Sequence, residues 1–439
     1  MKAADWDKNF GSDDLITLSN EERKYFCLEP LEPAWEVKVF YSKTNYHYKR
    51  TKIFFEGERI VKTIVEVKKI ISGDKKVFER YIESDTCLKT ENREWLVPLT
   101  ARGKKKKVTP ASVDNILPFG CTLTFTINYD EPSGLWVSNF RSNQELAIGE
   151  RERIGRIRSN TEFRDFLNYY IATCPPGYFD EVQRVKNSVH QTVKYRAGDI
   201  FRVGYDRTRY YYGLILGEVR KINKWKELPN KHSLRSLMSV PLLIRFYDAV
   251  LPQDNLSAQE LEQIPMCPLE ICCDSDIIWG THPIIGHKKI RPEDIYFHLV
   301  CTKIISEDPH NTLFTQDMFI GHGLMKRPEQ YKLYIEWGFA QTELGSEQLS
   351  EQLRAFFAQY SSPHGGVRVG TISIFIDRTN EQRLKLRDFR NNLLIPENRE
   401  IRNELFACLG LKPDADFDDF AKKYNGLTRD EIAIRLNKD

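Results

Sequence analysis

The sequence predicts an α+β, multi-domain protein: an N-terminal all-β domain, a central small SH3-like β-barrel and a mostly helical C-terminal part. Three observations predict it. From Trp35 to about Phe140, runs rich in β-branched and aromatic residues are separated by the turn signals GDK, TEN and YDEPSG. The stretch from Tyr195 to Gly217 reads as two strands joined by a tight polar turn. Beyond Ser346, apolar residues recur mainly at helical spacing. A chain of 439 residues is long enough for several cores, and the expected domains are 1–190, 191–345 and 346–439.

Taken in order, the acidic stretch from Asp5 to about Tyr25 holds a short helix opened by a capping box, Ser19 with Glu22. EPLEP, residues 29–33, breaks the chain. The β domain follows, with Trp35, Phe40, Phe54, Ile64, Trp95, Phe125 and Trp136 as core candidates. Thr161 is placed to cap EFRDFLNYYIATC, an amphipathic helix with Phe163, Phe166, Leu167 and Tyr170 along one side. CPPGYF halts that helix.

In the central hairpin, Tyr210, Tyr212, Leu214 and Leu216 alternate with the period of a half-buried strand. Asp206, Arg207 and Thr208 supply the turn. SVPLLIRFYDAV and PLEICC are further strands, and glycines at the corners fit a small barrel of about five or six strands. In the C-terminal part, SEQLSEQLRAFFAQYS is helical with Ser346 as its cap, and VRVGTISIFI alternates as one strand. EQRLKLRDFRNNLLI, ENREIRNELFACLGL, FDDFAKKYN and RDEIAIRLNK are helical, the last capped by Thr428 with Glu431.

Composition narrows the chemistry. A formal net charge of +3 does not by itself point to nucleic acid. No run approaches the roughly 20 apolar residues of a membrane helix, and the acidic start has no apolar signal core. Nine cysteines at irregular spacing suggest no disulfide framework. A cytoplasmic protein without membrane association is expected.

Catalytic motifs are missing. The chain has no GxSxG elbow, no phosphate loop and no GxGxxG after a strand. His282, His287 and His298 lie close in sequence, but none has the helical spacing of a zinc site. Adjacent Cys272 and Cys273 point to opposite faces of a strand and are expected in the core. Neither catalytic residue, metal ligand nor cofactor is expected, and the reading leans away from an enzyme.

Two surfaces remain. The hairpin interleaves tyrosine with arginine, the residue types enriched at binding hot spots. Tyr205, Arg207, Arg209, Tyr211 and Trp225 are the expected partner contacts, although such aromatics also fill curved sheets. Arg102, Lys104, Lys105, Lys106 and Lys107 lie on a loop that could meet phosphate, or stay a solvated connector.

The span from about Tyr195 to Leu299 resembles the immunity protein 26 family. The resemblance is carried by Gly198, Asp199, Ile200 and Phe201, then Tyr212, Gly213 and Leu214, then LLIRFYDAV, and Trp279, Ile285, Gly286 and His287. It departs from the family at Val203-Gly204 and by an insertion after Trp225. The resemblance implies a mostly-β module that binds and neutralises a co-encoded bacterial polymorphic toxin, often a nuclease, and it implies no catalytic residue. The expected partner is thus a cognate toxin protein, covered by stoichiometric occlusion. Two alternatives are a phosphoester hydrolase using His282, His287 and Asp276, and nucleic-acid binding through residues 102–107. The oligomeric state is left open by the sequence.

Overall fold

The computed structural model describes residues 2–438 apart from 12–13, 45, 72–74, 99–101, 110–111, 113–119, 231, 238–240, 253–255, 305–331, 359–368, 371–392 and 395. It is an α+β protein of helices and mainly antiparallel sheets. Two compact units divide it: Met1–Thr192 with Gly204–Thr208, and Val193–Val203 with Arg209–Asp439.

The first unit is built on a nine-stranded sheet. Its main path runs through β1 (Glu36–Thr44), β2 (His47–Glu56), β3 (Arg59–Ile71), β4 (Lys75–Glu91), β7 (Cys121–Asn128), β8 (Gly134–Asn139) and β9 (Gln144–Glu145). The two-residue strands β5 (Trp95–Leu96) and β6 (Lys106–Lys107) branch from β4. Every pair is antiparallel, as expected where short polar turns join consecutive strands.

This unit is not all-β. The helices Asn160–Ala172 and Tyr178–Lys186 contribute Phe163, Phe166, Leu167, Tyr170, Val182 and Val185 to the same core as Phe125 and Leu123 of β7. The Phe125 and Phe163 rings lie 4.4 Å apart. Ser159, rather than Thr161, caps the first of these helices, its side chain accepting from the Glu162 amide. Among the expected core residues, Phe54, Ile64 and Phe125 are buried and Trp35 and Phe40 half-buried. Trp95 and Trp136 are exposed instead, one on a two-residue strand and the other on the outward positions of β8.

A buried ionic network ties the N-terminal segment to the sheet. Arg23 Nε and Lys62 Nζ each lie 2.8 Å from Glu83 Oε1, and Lys62 also meets Asp85 at 2.6 Å. Lys62 and Glu83 are fully buried. Charges so placed must be paired, because each would otherwise forfeit its hydration without return.

The second unit holds a six-stranded sheet in the order β14 (Ile284–His287), β10 (Asp199–Gly204), β11 (Tyr210–Glu218), β12 (Pro241–Phe246), β13 (Glu270–Cys273), β18 (Val369–Gly370). The expected barrel is not found: among the described residues the sheet is open, with β14 and β18 as its ends. The last strand comes from the C-terminal part and runs parallel to β13. A separate three-stranded sheet contains β15 (Leu299–Ile304), β16 (Lys332–Trp337) and β17 (Ala340–Gly345).

One hydrophobic core joins these sheets to the C-terminal helices. Tyr212, Leu214 and Leu216 share it with Ile335, Phe339, Phe406, Phe420 and Ile432, so the expected division at 345 falls within a continuous core. The helix Glu351–Ala358 starts after Ser350, whose hydroxyl accepts from the Leu353 amide, rather than after Ser346. Most of VRVGTISIFI and EQRLKLRDFRNNLLI lies outside the described residues.

Candidate interaction site

Alternation along β11 sorts the hairpin's tyrosines. Tyr212 is fully buried, and Tyr210 packs at the margin of the same core with the Arg202 guanidinium 4.7 Å from its ring. Tyr211 lies on the other face, half-buried, its ring edge-on to Phe246 at 6.4 Å. Arg209 beside it is exposed. Arg209 thus immediately precedes β11, two residues from Tyr211.

The other expected contacts are placed differently. Trp225 is 8% exposed, with its ring 5.4 Å from Phe339 and the Arg435 guanidinium 5.6 Å away. The chain after β11 folds back through the helix Val219–Ile222, which carries Trp225 into the core and removes it from any outer patch. Tyr205 and Arg207 belong to the first unit, within Gly204–Thr208. Tyr205 is half-buried. Arg207 donates to the Tyr170 carbonyl at 2.6 Å and to Thr173 Oγ1 at 2.9 Å, and its guanidinium stacks 4.0 Å from the Tyr170 ring. That guanidinium is already engaged by its own unit.

A pair that sequence reasoning missed joins β10 to β14. Asp199 and His287 are direct antiparallel partners, and His287 Nδ1 lies 2.9 Å from Asp199 Oδ1. The other carboxylate oxygen accepts from the Arg196 amide at 2.9 Å. Both residues belong to the stretches that carry the family resemblance. Their pairing across 88 positions needed the strand register, which no local pattern reveals.

The remaining candidates form separate pairs. His282 Nε2 lies 3.9 Å from Asp276, and Tyr195 donates to Asp274 at 2.9 Å. Burial pushes the His282 imidazole down to about 4 and the Asp276 carboxyl up. Cys272 is fully buried, and burial raises its thiol well above the usual range. Among the described residues, no three histidine, cysteine or acidic side chains are grouped to hold a metal ion. A cleft of ≈ 320 Å³ is lined by Phe297, Trp337 and Phe417 together with Arg402 and Arg429. Its cations already face partners: Arg429 meets Asp418 at 3.2 Å, and Arg402 reaches the Leu393 carbonyl at 3.3 Å.

Arg102, Lys104, Lys105, Lys106 and Lys107 are all exposed, with Lys105 paired to Glu91. The β5–β6 pairing sets Lys107 directly across from Trp95. Sequence distance had separated the two, and the short strand pair closes it.

Among the described residues, no helix is long and apolar enough to cross a membrane. No curated protein and no solved structure matches the chain. One family does: residues 196–305, which supply β10 to β14 and β15, match the model of the immunity protein 26 family.

Proposed function

We propose that this protein is an immunity protein that binds a cognate bacterial polymorphic toxin, of which a nuclease is the class we favour, and neutralises it by occlusion. The family match across the central sheet carries this reading. Arg209 and Tyr211 are the contacts we assign, because Arg209, just before β11, is exposed and Tyr211, on β11, is half-buried. An interface of standard size, about 800 Å² per partner, would extend beyond them. The test is affinity for the toxin encoded beside this gene, measured for wild type and an Arg209→Ala/Tyr211→Ala double variant. A loss of about tenfold or more in affinity is expected. Unchanged affinity would remove this patch from the account.

A phosphoester hydrolase is a second reading, favoured by His287 alone. Its Nδ1 faces the Asp199 carboxylate while the ring is 39% exposed, an arrangement open to general base work. Phosphodiesterase activity abolished by His287→Ala would support it. Nucleic-acid binding draws on the exposed Trp95 facing Lys107. Steeply salt-dependent binding of single-stranded DNA would support that reading.

A further inference from the structure

The main path of the nine-stranded sheet has two unlike ends. One end is β9, two residues long; the other is β1, nine residues long. Strand β1 pairs with β2 from Glu36 opposite Phe55 to Thr44 opposite His47 with no shift of register. It carries neither bulge nor proline, two of the devices that blunt sheet edges, and its charged residues are Glu36, Lys38 and Lys43. Among the described residues, no strand pairs with its outer edge. Val37 and Val39, on one face of β1, are 47% and 40% exposed.

We propose that β1 pairs antiparallel with β1 of a second copy of this chain, about a twofold axis at Val39. Such an axis sets Val39 opposite Val39, Val37 opposite Tyr41, Lys38 opposite Phe40, Glu36 opposite Ser42 and Trp35 opposite Lys43. One face becomes an unbroken apolar ladder, Val37, Val39 and Tyr41 from each copy. Both lysines face aromatic rings, a favourable cation–π arrangement. Lys38 already takes this geometry within one chain, its Nζ 5.6 Å from the Phe40 ring. The neighbouring symmetric registers fit less well. An axis at Lys38 opposes that lysine with itself. An axis at Phe40 sets Lys38 against Ser42 and Lys43 against Val37, losing both lysine–ring pairs. Charge and shape together select Val39.

Sedimentation velocity of the full chain across the micromolar range tests this. Wild type should form a concentration-dependent dimer. Val39→Lys and Val39→Glu, each at a side chain already open to solvent, should weaken it about tenfold or more by opposing like charges. An equimolar mixture of the two variants should restore dimers, which separates a lost contact from a lost fold. A monomeric wild type, a Val39→Lys dimer as tight as wild type, or no rescue in the mixture would overturn the proposal. Toxin binding lost in Val39→Lys while wild type stays monomeric would assign this edge to a strand of the toxin instead.

Discussion

Asp199 and His287 fasten the end of the central sheet: His287 Nδ1 lies 2.9 Å from Asp199 Oδ1, and the residues face each other across β10 and β14. The chain enters this contact through Gly198, at φ +90°. A Cβ there would stand 2.2 Å from the Lys288 carbonyl oxygen, whose own amide donates to the Gly198 carbonyl at 2.9 Å. Glycine is required at this position by both backbone angle and space.

Gly198→Ala is expected to cost about 2 kcal/mol or more, from strain plus a displaced β14. His287→Ala should cost about 1 kcal/mol, the net worth of one hydrogen bond, since Asp199 keeps the Arg196 amide. Urea denaturation of the full chain measures both. A Gly198→Ala variant as stable as wild type would contradict the close approach of the two strands.

Glu83 sits at the centre of the buried ionic network, between Arg23 and Lys62. Burial alone would raise its carboxyl; Lys62 and Arg23 beside it outweigh that and hold it below the usual carboxylate range. Glu83→Ala leaves Lys62 buried with Asp85 as its remaining ion-pair partner beside the Glu29 carbonyl, and should cost about 3–5 kcal/mol. Because the folded state holds this proton more weakly than the unfolded chain, the contribution is complete above the ordinary carboxylate value, about 4.3. It is lost as pH falls through the lower folded value. Asp85, raised by burial, opposes part of that loss. Denaturation of the Glu83→Gln variant should show a shallower loss of stability below about pH 4.3 than wild type. Equal acid sensitivity would exclude Glu83 as a source of it.

His282 titrates on the same principle with a different window. Its folded value is pushed down to about 4 from 6.5 by burial. The unfolded chain therefore takes up the proton first, and stability present above 6.5 is lost as pH falls toward about 4. The imidazole should remain neutral at pH 5.5 in NMR titration, about halfway through that window. A His282 resonance titrating near its ordinary value would contradict this burial.

Local patterns made part of this molecule legible. The period of two in β11 identified Tyr212, Leu214 and Leu216, all in the core. Helical spacing identified Phe163, Phe166, Leu167 and Tyr170, all buried. The capping boxes at Ser19 with Glu22 and Thr428 with Glu431 form as expected, and Gly410 follows the helix Arg399–Cys408 at φ +61°. Long-range relationships were not legible. Trp225 resembles a hot-spot aromatic until the chain folds it onto Phe339. Barrel closure depends on how the end strands meet, and a strand from beyond the family segment takes the end place beside β13. The Asp199–His287 and Trp95–Lys107 pairs likewise exist only through strand register.

Neutralisation by occlusion is tested by mixing the purified chain with the candidate toxin, the product of the neighbouring gene, and following binding by calorimetry and toxin activity in parallel. A complex of fixed stoichiometry is expected, with toxin activity falling to background at the same equivalence point. Heat of binding without inhibition, or inhibition that grows with time at substoichiometric amounts of this protein, would contradict neutralisation by occlusion.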